Sequence, residues 1–253
     1  MLSTRVIPVL LLSGKGLVKT MQFSKPVYIG DPLNAVKVFN DKEVDELIFL
    51  DIQASKKNIA PDYYLIESIA SECFMPVCYG GGITSVEQVR RILNMGIEKV
   101  SINNQLLNSS DLIGEAASVF GSQSIVASID VKKKITGSRR VYSHINGKTT
   151  SYDPVEYAMN IEKQGAGELL VTSVDRDGMM NGYDIELLKG IAANVNIPVI
   201  ACGGAGNLSH FKEARDSAGV SAVAAGSMFV FHGKHKAVLL SYPEQKELKK
   251  YLI

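Results

Sequence analysis

The feature that most narrows what this chain can fold into is an internal repeat of 122 residues. Asp31-Pro32 recurs as Asp153-Pro154, Glu46-Leu47 as Glu168-Leu169, Pro76-Val77 as Pro198-Val199, and Gly81-Gly82 as Gly203-Gly204. Four matches in one register, spread along both halves, mark two homologous units.

Within each unit, short apolar runs alternate with helix-like stretches. The runs are Val6 to Leu12, Leu47 to Ile52, Pro76 to Tyr79 and Val100 to Ile102, then Ile125 to Asp130, Leu169 to Ser173, Pro198 to Cys202 and Ala222 to Ala225. Such runs suit strands covered on both faces of a parallel sheet. Asp31 and Asp153 read as helix N-caps followed by proline, and Thr84-Ser85-Val86-Glu87 as a capping box. Val86, Val89, Ile92 and Leu93 then recur at helical spacing and supply a face for the sheet. Two fourfold units closed by their helices predict an α/β fold, a (β/α)8 TIM barrel over 1–253, with half-barrels at about 1–121 and 122–253. An open doubly wound sheet explains the alternation but not the repeat.

With 253 residues, 46% hydrophobic, the chain can bury a core of that size. A net charge of +1 argues against a broadly basic nucleic-acid binder. The run Val6 to Leu12 is broken by Pro8 and too short for a signal or membrane segment, so a soluble cytoplasmic protein is expected. Cys73, Cys78 and Cys202 have no His or Cys cluster nearby, and the four histidines are scattered. Buried free thiols are expected, with no metal and no cofactor.

A barrel carries its chemistry at the C-terminal ends of its strands. Gly80-Gly81-Gly82 and Gly203-Gly204-Ala205-Gly206 follow the third and seventh runs, and Asn103-Asn104 and Gly226-Ser227 follow the fourth and eighth. Backbone N–H groups in such loops, beside helix N-termini, can cradle phosphates, which predicts an elongated ligand with a phosphate at each end. Tight turns alone would also call for the glycines. Asp51, Asp175 and Asp177 lie between the two cradles and suit ligand hydroxyls or helix caps. Asp130 ends the fifth run, but its counterpart at the end of the first is Leu11. One half keeps an acid where the other has none.

Arg5-Val6-Ile7-Pro8, Phe49-Leu50-Asp51-Ile52, Tyr79-Gly80-Gly81-Gly82-Ile83, Ser173 to Gly178 and Cys202 to Gly206 together resemble HisF, the cyclase subunit of imidazole glycerol phosphate synthase, along nearly the whole chain. The resemblance implies a two-phosphate ribonucleotide ligand, ammonia delivered by a HisH-like glutaminase, and a lyase/cyclase reaction. It implies a catalytic pair of aspartates, of which Asp130 matches one and Leu11 replaces the other, and it adds Lys19, in a mobile loop after the first strand, to the catalytic residues. Leucine cannot carry a proton, and loss of one member of such a pair costs roughly 10²- to 10⁴-fold in rate. The resemblance also implies that Arg5, Glu46, Lys99 and Glu168 ring an ammonia entrance at the barrel bottom, although a salt-bridged plug would use the same residues. An intact entrance below a broken pair resembles HisF-like paralogues of surface-polysaccharide amidotransferase systems, which pass ammonia to a third enzyme. Val223 to Gly233 and Leu239 to Pro243 resemble those paralogues too. A working cyclase and a noncatalytic scaffold that activates the glutaminase are the competing readings.

Lys132-Lys133-Lys134 and Arg139-Arg140 are expected to flank a hairpin closed by Asn146-Gly147. Glu244 to Tyr251 alternates acids and lysines as a solvated closing helix would.

Overall fold

The structure, a computed structural model, describes residues 4–109, 111–233 and 235–252. Eight strands pair in chain order: β1 (Arg5–Ser13), β2 (Leu47–Asp51), β3 (Val77–Gly80), β4 (Lys99–Ile102), β5 (Ile125–Lys133), β6 (Glu168–Ser173), β7 (Val199–Cys202) and β8 (Ala222–Ala225). Every pairing is parallel, and β8 returns to β1 through Arg5↔Ala222 to Pro8↔Ala225, so the sheet closes on itself. Helices α1 (Pro32–Asp41), α2 (Tyr63–Glu72), α3 (Val86–Asn94), α4 (Asp111–Phe120), α5 (Pro154–Lys163), α6 (Ile185–Ala192), α7 (Leu208–Ala218) and α8 (Gln245–Leu252) follow the strands in turn. The fold is the (β/α)8 barrel that the repeat predicts.

Side-chain alternation along each strand separates two cores. On β1, Ile7, Val9 and Leu11 join Ile48, Val126, Leu170 and Ile200 inside the barrel. The alternate residues Val6, Leu10 and Leu12 join the layer between barrel and helices, where Phe49, Val89 and Phe211 also lie. Continuous apolar runs are therefore needed, because both faces of every strand are covered.

Local signals set the helix starts. Asp31 and Asp153 cap α1 and α5 by accepting from the N–H groups of Asn34 and Val155, each with proline next. The predicted capping box is displaced by one residue. Ser85, not Thr84, is the N-cap of α3 and accepts from the Gln88 N–H, while Gln88 Oε1 accepts from the Thr84 N–H. Val89 and Ile92 are the fully buried residues of this helix. The closing helix α8 is amphipathic, burying Leu248 and Leu252 beneath its charged face.

Two differences from the sequence reading concern loops over the C-terminal face. β1 runs directly into an unforeseen antiparallel ribbon, Gly16–Met21 with Ser24–Gly30. β5 likewise extends past Asp130 to Lys133 and pairs with Arg139–Ser143, the turn lying at residues 135–138. Asn146-Gly147 closes a second, shorter ribbon, Tyr142-Ser143 with Lys148-Thr149, rather than the one flanked by the basic residues. The lysines that read as loop continue the ladder because the strand keeps its partner after leaving the barrel. No described helix is long and apolar enough to cross a membrane.

Candidate functional site

The residues singled out at the strand ends line one cavity at the barrel mouth, with Asp175 and Gly206 as the exceptions. Asp175 instead accepts from the Lys133 N–H through its carboxylate and from Gln22 Nε2 through its carbonyl, which ties together the ribbons after β1 and β5. Asp51 faces the cavity but also caps the turn that follows, accepting from the Gln53 and Ala54 N–H groups. Asp177 accepts from Thr20 Oγ1 at 2.7 Å and lies 3.6 Å from Lys19 Nζ. The ribbon after β1 is thus held across the mouth, and Lys19 is buried.

Alternation along β5 brings Val126, Ser128 and Asp130 to one side, so the strand interior grows more polar toward the mouth. Asp130 is buried, and Asn103 Nδ2 donates to its Oδ2 at 2.8 Å. Burial pushes the Asp130 carboxyl up to about 7; the Asn103 hydrogen bond opposes the rise and the charge of Asp177 adds to it. Leu11 lines the same cavity from β1 and packs in the interior apolar cluster.

His144, which no sequence signal singles out, stands beside Asp130. Its Nδ1 lies 3.9 Å from Asp130 Oδ2 because the extended β5 ribbon folds residue 144 back over the mouth. Burial, with Lys56 nearby, pushes the imidazole down to about 4. The contact is therefore between a neutral ring and a carboxyl group, not an ion pair, and at that distance it is not a hydrogen bond.

The glycine loops repeat one contact in both halves. A β-carbon on Gly81 would lie 2.6 Å from the carbonyl oxygen of Asp51, and one on Gly203 the same distance from that of Ser173, both at positive φ. The chain requires glycine at these two points whether or not an anion is bound. The helices that follow, α3 and α7, are already capped by Ser85 and Asn207. Two short helices, Asn104–Asn108 after β4 and Ser227–Val230 after β8, start at the same mouth without a side-chain cap. The first N–H groups of these two short helices thus have no side-chain cap, unlike those of α3 and α7. Ser227 Oγ is buried with no hydrogen-bond partner among the described residues, and a β-carbon on Gly226 would lie 2.6 Å from Lys19 Nζ.

At the opposite end of the barrel, Arg5, Glu46, Lys99 and Glu168 meet in a closed ring. Arg5 bonds both glutamates, and Lys99 Nζ lies 3.1 Å from Glu46 Oε1 and 2.9 Å from Glu168 Oε2. Arg5, Lys99 and Glu168 are first residues of strands, and Glu46 immediately precedes β2, so all four project at one level. Burial works against the charge on Arg5 and Lys99, but the two carboxylates outweigh it and raise both pKa values.

Cys73, Cys78 and Cys202 are free thiols, and no group of described residues could hold a metal ion. Cys78 is fully buried in the interior layer above the ring.

The chain matches the family described as Histidine biosynthesis protein over residues 5–236. It is 52% identical over 248 residues to a Pseudomonas aeruginosa protein provisionally named imidazole glycerol phosphate synthase subunit hisF2, covering 98% of this chain and 99% of that relative. A Vibrio vulnificus protein provisionally named subunit hisF3 is 49% identical over 253 residues, 100% of this chain and 97% of its own. A Leptospira interrogans protein provisionally named subunit HisF is 46% identical over 248 residues, 98% of each chain.

Proposed function

The chain belongs to the histidine biosynthesis protein family, on its HisF branch, and from that membership we propose that it is the barrel subunit of a glutamine amidotransferase complex. It accepts ammonia from a HisH-like glutaminase at the barrel bottom and passes it along the interior to the mouth. There a third, amidinating sugar enzyme of polysaccharide biosynthesis takes it up, while the barrel's own cyclisation is impaired by Leu11.

One observation carries this reading: a four-charge ring closes one end of an apolar interior, and Leu11 faces the cavity at the other. Such a ring can be opened by a docked partner, because Arg5 and Lys99 keep solvent contact on the outer side while the glutamates are buried. Phe74 is 88% exposed on the loop between α2 and β3, at the same end as the ring. An isolated aromatic there suits a protein partner's pocket. A phosphorylated ligand at the mouth would sit between the uncapped starts of the two short helices, with Lys19 beside Gly226. Asp51 and Asp177 lie between them, within reach of hydroxyls.

The test is turnover of a two-phosphate ribonucleotide with ammonium salt at alkaline pH. The expected rate is roughly 10²-fold or more below that regained by Leu11→Asp. Appreciable turnover by the unaltered protein would replace the conduit reading with that of a working cyclase, which the carboxyl of Asp130, poised at about 7 inside the cavity, would also serve. Lys99→Ala in the complex with the glutaminase should uncouple glutamine hydrolysis from nitrogen delivery. Unchanged coupling would make the ring a structural plug.

A further inference from the structure

We propose that the wall formed by Asp130 and His144 is a docking site for ammonia at the barrel mouth, where it is held as ammonium between the carboxylate and the imidazole. The proposal rests on the conduit reading and adds a destination to it.

The geometry comes first. Asp130 Oδ2 and His144 Nδ1 lie 3.9 Å apart with no hydrogen bond between them. One nitrogen can bridge two acceptors at that separation with ordinary hydrogen bonds of about 2.9 Å. Ser128 Oγ, which receives only a long 3.4 Å bond from Asn103, lies on the same strand as Asp130 and faces the same cavity. Asp130 Oδ2 and His144 Nδ1 thus face one another across a gap, and Asn103 Nδ2 donates to Asp130 and, weakly, to Ser128. A small tetrahedral cation with four N–H groups fits that gap.

A second observation points the same way. Ser101 Oγ is buried, lines this cavity from β4 two residues before Asn103, and has no hydrogen-bond partner among the described residues. A buried hydroxyl left unpaired is unfavourable unless something visits it. It lies on the same strand as Lys99 of the ring, which makes β4 and β5 the polar side of an otherwise apolar interior.

The proton balance closes without any other reactant. Asp130 carries its proton below about pH 7, and ammonia is the stronger base. Neutral ammonia leaving the interior takes that proton, giving a carboxylate and an ammonium ion in contact. When the nitrogen is consumed as ammonia, the proton returns to Asp130. His144 stays neutral throughout and accepts one N–H. The other charged or titratable groups facing this wall are Asp177, whose negative charge favours a cation, Lys19, which Asp177 holds, Cys202, and Lys56, which opposes a cation near His144.

The experiment follows the His144 ring and Asp130 carboxyl resonances of the full chain while ammonium chloride is titrated against potassium chloride at constant ionic strength. The proposal expects a saturable shift with ammonium only, lost in Asp130→Asn, weakened about tenfold in His144→Leu and retained in His144→Gln, which keeps an acceptor. A shift that never saturates, an equal response to potassium, or an unaltered ammonium response in both Asp130→Asn and His144→Leu would overturn it. His144 lies on a ribbon outside the barrel, so its variants keep the test sound should the Asp130 variant fold poorly. Saturable binding together with unchanged glutaminase coupling in Lys99→Ala would remove the conduit and leave the site. Altered coupling with no ammonium binding would do the reverse.

Discussion

At the scale of single residues, the mouth is defined by how burial acts on acids. Asp130 ordinarily ionises near 3.8 and in the fold only at about 7, because burial disfavours its charged form. Between those two values the folded state holds a proton that the unfolded chain has released. The stability linked to this group is therefore full below pH 3.8 and is lost as pH rises through about 7. Three pKa units correspond to at most about 4 kcal/mol. Asp130→Asn should remove that penalty, raising the melting temperature at pH 8 much more than at pH 4, as thermal scans at the two pH values would read. Equal shifts would mean that Asp130 ionises normally. Glu46 presents the converse case at the barrel bottom, where its charge is buried but doubly paired. Glu46→Gln leaves Arg5 and Lys99 to share Glu168, and an expected loss of about 2–3 kcal/mol can be checked by urea unfolding. The partial exposure of both cations keeps the figure below that for a fully buried pair.

At the scale of elements, two glycine loops and two ribbons shape the cavity. Gly203→Ala forces a β-carbon to 2.6 Å from the Ser173 carbonyl at φ +86°, whereas Gly219→Ala, at φ +70°, meets nothing within 4 Å. The first should cost about 2–3 kcal/mol and the second about 1 kcal/mol in chemical unfolding. The difference isolates the close approach from the backbone strain. The ribbon after β1 is latched by Asp177, which receives bonds from Thr20 Oγ1 and the Phe23 N–H, while its carbonyl accepts from the Gln22 N–H. Asp177→Ala should speed amide exchange across residues 16–30 by about tenfold while leaving β2 to β4 unchanged. Protection that stays as before would show that the ribbon is held by its own strand pairing.

At the scale of the molecule, the two ends of the barrel differ in character, and the proposed function assigns them different partners. The bottom carries the ring and the exposed Phe74; the mouth carries the cavity and its ribbons. Phe74→Asp should weaken glutaminase binding about tenfold or more while the free barrel melts as before, which isothermal calorimetry and thermal unfolding together would report. Intact binding would place the interface elsewhere on that end.

Much of this was legible in the chain itself, for identifiable reasons. The apolar runs called for a parallel sheet covered on both faces, and the repeat favoured a closed barrel over an open doubly wound sheet. Asp31 and Asp153 declared their helices because a cap acts within three residues. The charged ring was legible only through the resemblance to HisF; its physical basis is that its members sit at strand starts, which a closed barrel brings to one level. Tertiary structure decided what depends on partners far along the chain: the ribbon after β1, the continuation of β5 beyond Asp130, the removal of Asp175 from the cavity, and the approach of His144 to Asp130. Each follows from strand pairing or a hydrogen bond between segments whose local sequence is neutral, and only the closed fold makes those partners neighbours.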